Sequence, residues 1–313
     1  MSCAANPTAL PHIDALSQHA VTLHRLPADN AAVQVQAQER TLASEVPIAL
    51  VFNGISHAVM LATPQDLEDF ALGFALSEGL IDSAADCFGV EVAPVAASAA
   101  GLPAGMDGME VQIEISSRCF ARLKDHRRSM SGRTGCGVCG VESFAALDLS
   151  FAPLPARDWV GAIGLPQVLR AMDALQGKQL LNAQAGAIHA AGWALADGEL
   201  QDVVEDVGRH NALDKLLGRL ARTGRLGEPG FVALSSRGSH ELVRKCAKLG
   251  IGALATISAP TAMGVRMAEL TGLRFWGLCR APSAVLYAPG AGQAAIANGP
   301  SLPQRATAPW PTP

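Results

Sequence analysis

The spacing of apolar residues switches along the chain between two and three or four, which predicts strands and helices in turn. Residues 46–52 and 55–61 are apolar runs separated by Asn53-Gly54. Both central residues tolerate the positive φ of a type I′ turn, so this segment predicts a β-hairpin. Residues 109–115 alternate polar and apolar side chains and predict a further strand.

A helix is predicted directly after this hairpin. Leu67 and Phe70 begin an apolar pattern at three- and four-residue spacing, and Gly79 ends it. Thr63 is expected to be the N-cap, because its hydroxyl can accept a hydrogen bond from a backbone N–H of the first turn.

The second half of the chain alternates between predicted strands and helices. Helices are expected at 166–176, 212–220, 241–249 and 261–270, and strands at 185–195, 200–204, 231–235, 251–257 and 273–278. Such alternation implies a parallel or mixed sheet with crossover helices. Functional sites in these sheets lie at the carboxyl ends of the strands.

These patterns predict an α/β protein with two folded parts and two loose ends. Residues 29–155 are expected to form a smaller N-terminal α+β subdomain that carries a Cys-x-x-Cys loop. Residues 156–280 are expected to form a domain with a mixed sheet flanked by helices. Residues 1–28 and 281–313 are rich in proline without a clear period, so both are expected to be flexible tails.

Composition and charge exclude several classes of protein. Apolar residues make up 49% of the 313 residues and charged residues 17%, so most of the chain must fold compactly. The 24 Lys and Arg residues against 28 Asp and Glu give a net charge of −4, which argues against a globally basic nucleic-acid binder. Aromatic residues are 4%, too few for a platform that stacks single-stranded bases.

Cysteine content and the N-terminus favour a cytoplasmic location. The 7 cysteines are an odd number at low density, unlike a secreted disulfide framework. The first residues lack a basic region followed by an apolar stretch, and glycine and proline interrupt the longest uncharged run, residues 249–265. We therefore expect neither export nor a membrane span.

The sharpest local motif is a glycine-rich loop with two cysteines, R-T-G-C-G-V-C-G at residues 133–140. Basic residues cluster upstream, and positive charge near a thiol favours the reactive thiolate. Cys136 and Cys139 are therefore candidates for a nucleophilic pair that carries a sulfur atom. Three alternatives remain open: a zinc knuckle completed by Cys119 and His126, a thioredoxin-like redox pair, and two unreactive thiols.

A second motif covers residues 205–215, E-D-V-G-R-H-N-A-L-D-K. Asn211 is expected to cap the following helix, with Asp214 reaching back to its start. Residues 208–210 would then lie at a helix N-terminus, where backbone N–H groups hold phosphate well. An ordinary cap beside a solvated arginine explains the same residues.

His189 lies in the apolar segment A-I-H-A-A, which is similar to the His-x-Glu signature of zinc nucleobase deaminases. Ala191 replaces the glutamate that would shuttle protons, and the Cys-x-x-Cys pair lies upstream rather than downstream. A core histidine is the plainer interpretation. The fold can be shared with these enzymes, but we expect no deaminase activity.

Together these segments resemble the FdhD family, sulfurtransferase-type accessory proteins that formate dehydrogenase needs to become active. The resemblance covers residues 46–280. It rests on N-G-I-S-H at 53–57, L-E-D-F-A-L-G-F at 67–74, the cysteine loop, the 205–215 segment and S-A-P-T at 258–261. It implies a core with a cytidine-deaminase-like mixed sheet.

The resemblance also implies a function and a site. Proteins of this family accept sulfur as a persulfide from a cysteine desulfurase and pass it to the molybdenum bis(molybdopterin guanine dinucleotide) cofactor before that cofactor enters formate dehydrogenase. The persulfide cysteine falls on Cys136, with Cys139 beside it. The segment that binds this cofactor as a substrate falls on Leu278, Cys279, Arg280, Ala281, Pro282 and Ser283. We expect no metal ligands, no nucleic-acid partner and a cytoplasmic homodimer.

One departure from the family concerns the cofactor segment. Arg280 stands alone, whereas many relatives carry a second basic residue and a His-Pro tail soon after. Strand carboxyl ends and helix N-termini converge in such sheets, so residues 208–210 and Arg280 are expected to face the mouth of one pocket.

Two functions from different classes follow from these observations. The first is a sulfur carrier that holds a persulfide on Cys136. The alternative is a non-catalytic escort for cofactor or apoenzyme, in which the cysteines bind zinc. Metal content and the alkylation of Cys136 distinguish the two.

Overall fold

The computed structural model of the protein describes residues 13–28, 32–129 and 152–292, except the side chains of 125–129. The strands are β1 Leu16–Arg25, β2 Gln34–Ala43, β3 Val46–Phe52, β4 Ile55–Ala62, β5 Cys87–Val95, β6 Gly108–Ile115, β7 His189–Leu195, β8 Leu200–Asp206, β9 Gly230–Leu234, β10 Ala253–Thr256, β11 Arg274–Arg280 and β12 Ser283–Ala288. The helices are α1 Leu67–Glu78, α2 Ala97–Ala100, α3 Ser117–Ser129, α4 Asp158–Ala162, α5 Leu165–Gly177, α6 Leu180–Ala185, α7 Arg209–Arg222, α8 His240–Lys248 and α9 Ala262–Thr271. None of these helices is long and apolar enough to cross a membrane.

The larger part of the molecule is a mixed six-stranded sheet between two layers of helices. Its strand order is β12-β11-β10-β9-β7-β8, in which β9, β10 and β11 are parallel and β7 and β12 are antiparallel to their neighbours. Helices α7, α8 and α9 pack on one face around Leu216, Val243 and Phe275. Helix α5 packs on the other face, where Val168 and Trp276 are buried. The expected mixed α/β class is confirmed.

Both ends of the described chain contain strands where tails are predicted. β12 pairs with β11, and its residues Leu286 and Ala288 pack into the cores on the sheet, so the tail predicted from residue 281 is wrong as far as this strand. At the other end, β1 pairs with β2 along its whole length, which contradicts a tail over residues 1–28. Backbone pairing, which apolar periodicity does not report, orders both segments.

The N-terminal part is a four-stranded sheet with the order β4-β3-β6-β5. Asn53 and Gly54 have φ angles of 45° and 78°, which confirms the predicted turn between β3 and β4. The Asn53 side chain also donates to Ile115 O at 2.9 Å and accepts from Ile115 N at 2.7 Å. Helix α1 buries Phe70 and Phe74 in the core of this sheet.

Two glycines allow α1 to lie against α7 and join the two parts. A Cβ atom on Gly73 would lie 1.8 Å from the Asp214 carbonyl oxygen, and one on Gly218 would lie 1.8 Å from the Asp69 carbonyl oxygen. Any larger residue at either position would push the helices apart. Asp69 also pairs with Arg219 at 2.9 Å and with Arg222 at 2.7 Å, which adds an ionic link across the same interface.

Candidate functional site at the carboxyl edge of the six-stranded sheet

The carboxyl edge of the six-stranded sheet gathers strand ends and helix starts. β8, β9, β10 and β11 all end there, and α7, α8 and α9 begin there. The first N–H groups of each helix lack partners within the helix, and the helix dipole adds partial positive charge at the same point. An elongated ligand with anionic and hydrogen-bonding groups fits such an edge.

Asp206, the last residue of β8, fixes the start of α7. Its Oδ1 accepts hydrogen bonds from Gly208 N at 2.7 Å and from Asn211 Nδ2 at 3.0 Å. Its Oδ2 accepts from Thr63 N at 3.0 Å and pairs with Lys215 Nζ at 2.7 Å. The side chains of Asp206 and Lys215 are fully buried, so this satisfied network holds the turn into α7 in place.

Two residues that the sequence predicts as helix caps have other roles. The N-cap of α7 is Gly208, and the Asn211 amide instead donates to a backbone carbonyl of β4 at 2.9 Å. The N-cap of α1 is Asp66, whereas Thr63 Oγ1 accepts from Val207 N at 3.1 Å. Both predicted caps are wrong, because these side chains bond across the two parts of the molecule.

Arg209 lies between two histidines at the start of α7. Burial, and then the positive charge of Arg209, lowers the pKa of His189. The same two causes lower the pKa of His210 to about 4. Both imidazoles are therefore neutral at pH 7, and Arg209 supplies the positive charge at this end of the edge. His189 is half-buried at the first position of β7.

The loop between β9 and α8, S-S-R-G-S at residues 235–239, is a part of the edge that no sequence motif indicated. Ser235 Oγ accepts a hydrogen bond from Ala190 N at 2.7 Å. A Cβ atom on Gly238 would lie 2.2 Å from Phe275 Cζ, so the loop needs glycine there. Ser239, the N-cap of α8, is 5% exposed. The sequence signal that could have indicated this loop is the succession of a predicted strand, a loop of serine and glycine, and a predicted helix.

The predicted cofactor segment forms the end of β11 and its turn into β12. It comprises Leu278, Cys279, Arg280, Ala281, Pro282 and Ser283. Leu278 adopts a left-handed φ of 53°, and the pairing of β11 with β12 shifts register beside it. A non-glycine residue in this conformation costs about 1–2 kcal/mol. Strained residues and bulges of this kind cluster at functional sites.

The residues of this segment differ in their exposure to solvent. Cys279 is 1% exposed, and burial raises the pKa of its thiol to about 12, so it stays protonated at neutral pH. Leu278 is 43% exposed, and Arg280 is exposed as well. The segment therefore presents one cationic and several neutral groups to a ligand, and no thiolate.

Arg209 and Arg280 both lie at the carboxyl edge of the sheet but far apart along it. β11 and β8 are separated by β10, β9 and β7, which at four strand spacings is roughly 19 Å. The expectation that both arginines face the mouth of one pocket therefore requires an elongated site.

The predicted nucleophilic pair, Cys136 and Cys139, lies outside the described residues. Cys119, one suggested partner in a zinc knuckle, is fully buried in α3 against the N-terminal core. Its Sγ lies 3.7 Å from Arg122 Nη2, where a cation already occupies the polar side. The side chain of His126 is not described.

Cys119 also belongs to an acidic cluster with Asp82 and Asp86, whose ligand atoms lie close enough together to hold a metal ion. Arg118 and Arg122 pair with these carboxylates at 2.9–3.2 Å. The arginines supply the compensating charge, so the cluster is an ion-pair network between α3 and the segment before β5.

Comparisons with known proteins cover both parts of the molecule. Residues 43–292 match the FdhD/NarQ family. A protein named sulfur carrier protein FdhD from Bordetella bronchiseptica is 49% identical over 255 residues, which is 82% of this chain and 88% of the relative. The protein of the same name from Cupriavidus necator is 49% identical over 247 residues, 79% of this chain and 81% of the relative.

A solved structure gives the same picture for the fold. A crystal structure of a candidate formate dehydrogenase accessory protein from Desulfotalea psychrophila superposes with a TM-score of 0.63 at 21% identity. The superposition covers 87% of this chain and 96% of that one, so the two share their fold across both parts.

Proposed function

Since the chain belongs to the FdhD/NarQ family, we propose that it carries sulfur for the activation of a formate dehydrogenase. Cys136 receives the sulfur as a persulfide from a cysteine desulfurase. The acceptor is the molybdenum bis(molybdopterin guanine dinucleotide) cofactor, bound as a substrate at the carboxyl edge before it enters formate dehydrogenase. Membership of a family whose relatives are named sulfur carriers is the observation that carries this proposal.

The chemistry of the two cysteines is thiol–disulfide exchange. The Cys136 thiolate attacks the outer sulfur of the donor's persulfide, the S–S bond of the donor breaks, and the donor leaves as a thiolate. Cys139 then attacks Cys136 Sγ and expels the outer sulfur as sulfide. Oxidation of the two cysteines to the Cys136–Cys139 disulfide supplies the two electrons that reduce the outer sulfur to sulfide, and a cellular dithiol must reduce this disulfide afterwards.

The carboxyl edge supports the substrate part of the proposal. Three helix N-termini supply N–H donors suited to phosphate groups, and Arg209 and Arg280 add positive charge near the two ends of the edge. The buried cysteines do not compete for sulfur, because burial raises the pKa of Cys246 and of Cys279 and keeps both thiols protonated.

Persulfide mapping tests this function directly. The full chain is incubated with a cysteine desulfurase and L-cysteine, and the Cys136 peptide is expected to gain ~32 Da, the mass of one sulfur atom. Cys136→Ala should abolish this label and leave formate dehydrogenase inactive in a cell without the native copy. Cys87→Ala is the matched control, since Cys87 is half-buried with a raised pKa.

A fully active Cys136→Ala protein would favour the escort function. In that case one zinc ion per chain and thiols resistant to alkylation are expected. Light scattering during size-exclusion chromatography checks the accompanying expectation of a homodimer, and fractionation of cells checks the cytoplasmic location.

A further inference from the structure

Strand β5 is the last strand of the four-stranded sheet and has a neighbouring strand on one side only. β6 pairs with it from Cys87 to Val95, and within the described chain no backbone–backbone hydrogen bond reaches its other side. Such an edge presents a row of N–H and C=O groups with which another chain can pair. Folded proteins usually cover or charge their edge strands, so this open edge indicates a place for a partner.

Two features of β5 limit the length of the open edge. The register with β6 shifts between Cys87 and Gly89, and Pro94 has no N–H group to donate. Between them lies the stretch F-G-V-E-V-A, residues 88–93, whose valines favour a strand. Phe88 in this stretch is 64% exposed, so its ring supplies apolar area to any chain that pairs with the edge.

Two cavities lie next to each other along this edge, between β5 and helices α1 and α7. The first has a volume of about 360 Å³ and lies beside Phe88 and Val90. The second has a volume of about 380 Å³ and lies beside Val92. Glu68 of α1 and Arg222 of α7 line both cavities and therefore lie where the two meet. We call the two cavities together with the open edge of residues 88–93 the β5 groove.

The spacing of the two cavities matches the side chains of an extended chain. Val90 and Val92 both pack toward the N-terminal core, so they lie on one face of β5, two residues or roughly 7 Å apart. A strand added beside β5 would present every second side chain on the same face at the same interval. One side chain would then enter each cavity while the backbone pairs with residues 88–93. In this mode of binding, backbone hydrogen bonds supply affinity and the cavities supply specificity.

The charges around the β5 groove favour a basic partner. Arg219 pairs with Asp66 and Asp69, and Arg222 pairs with Asp69, so both cations are already matched. Glu68 is exposed and makes no hydrogen bond or ion pair with another described residue. A lysine or arginine of an incoming strand therefore meets a carboxylate that is available where the two cavities join. Complementary charge of this kind orients a partner and speeds its association.

We propose that the β5 groove binds an extended basic segment of a partner protein. The segment adds a strand to β5, places one apolar side chain in each cavity and sets a lysine or arginine of the same face beside Glu68. The groove is separate from the carboxyl edge of the six-stranded sheet, because Arg222 lies at the opposite end of the 14-residue helix α7, roughly 20 Å from its start. A partner bound there leaves the carboxyl edge open.

Fluorescence anisotropy with a labelled peptide tests the proposal on the full-length chain. The peptide K-T-V-T-V-T-K carries both valines and both lysines on one face of a strand, and saturable binding is expected. The peptide E-T-V-T-V-T-E should bind about 5-fold more weakly, because its charges face Glu68. Two further peptides carry N-methyl groups on the odd or on the even residues. One of them should lose about 10-fold in affinity and the other little, because only one edge of an added strand pairs with β5.

Substitutions in the groove locate the peptide. Ala84 lines the first cavity, so Ala84→Trp fills it and should weaken binding of the basic peptide at least 10-fold. Ala85→Trp is the matched control, since Ala85 is exposed in the same short turn and does not line the cavity. Glu68→Lys should reverse the preference for the basic peptide. Glu199→Lys, at an exposed glutamate beside the turn between β7 and β8, should keep that preference.

Alkylation of Cys87 gives a second measurement of position. Cys87 is a half-buried thiol that lines the first cavity, so the bound peptide should slow its reaction with N-ethylmaleimide, measured by mass spectrometry. An unchanged rate in the presence of saturating peptide would overturn the proposal. Equal affinities of Ala84→Trp and Ala85→Trp for the peptide would overturn it as well. So would a lack of saturable binding to the folded chain, which is the result expected if a second copy or another part of this chain fills the groove.

Discussion

Helices α7 and α8 bring paired side chains together at two levels, a lower one formed by Asp214 and Lys245 and an upper one formed by His210 and Glu241. The two levels differ in how completely their charges are matched. At the lower level, α1 lies over the helix pair and contributes Ser77 and Glu78, so Lys245 and Asp214 are both matched. Asp214 belongs to this network and does not reach back to the start of α7, so the role predicted for it from the sequence is wrong. At the upper level, α1 has ended at Glu78, and Glu241 has His240 Nδ1 at 3.3 Å while His210 is buried beside the positive charge of Arg209. A buried charge that keeps its partners supports the fold, whereas removing one partner leaves a costly uncompensated charge.

Removing the cation of the lower level gives the largest expected loss of stability. Lys245→Met leaves the Asp214 carboxylate buried without its counter-ion, which should lower the free energy of unfolding by about 3–5 kcal/mol. Urea denaturation measures this change. The matched control is Arg266→Met, in an ion pair whose arginine is 68% exposed, where a change below about 1 kcal/mol is expected. Equal losses of stability in the two variants would show that the buried network around Lys245 is not the source of the effect.

Acid unfolding separates the two levels by pH. Burial opposes the charge of Glu78, but Lys245 and Arg244 outweigh it and lower the pKa to about 2 from 4.5. The resulting stability is complete above pH 4.5 and is lost as pH falls through about 2, with a size on the order of 3 kcal/mol. Glu78→Gln should therefore flatten the dependence of unfolding free energy on pH between 4.5 and 2.

His210 of the upper level makes stability depend on pH in a higher range than Glu78 does. His210 binds its proton below about 4 in the folded protein but below 6.5 when unfolded, so stability falls as pH drops from 6.5 to about 4. His210→Gln should remove a fall on the order of 3 kcal/mol in that window. The exposed His24 provides the matched His24→Gln control, which should keep the slope of the parent protein. An unchanged slope in His210→Gln would contradict burial of a neutral imidazole.

The smallest expected effect concerns the strained cofactor segment. Leu278→Gly removes the cost of a left-handed leucine, so its free energy of unfolding should change by less than about 1 kcal/mol. Val285→Gly, at a side chain with the same 43% exposure in β12, should lose about 1 kcal/mol, since glycine weakens a strand. A larger loss for Leu278→Gly would mean that its side chain, not its backbone, matters for folding.

Local chemistry made several features predictable. The turn at Asn53-Gly54 follows from two residues that accept positive φ, and the alternation of strands and helices follows from apolar spacing. The thiol chemistry expected of the cysteine motif stays a prediction, because Cys136 and Cys139 lie outside the described residues. The caps assigned to Thr63 and Asn211 failed, because both side chains found partners about 140 or more residues away along the chain.

The sequence by itself determined which residues are apolar, where turns form and which thiols are candidates to carry sulfur, because these are properties of near neighbours along the chain. Only the tertiary structure decided that β12 completes the sheet and that the 235–239 loop joins the edge. It also decided that Lys245 lies between the Asp214 and Glu78 carboxylates. Whether a polar atom is satisfied depends on what packs over it, and that neighbour comes from a distant part of the chain.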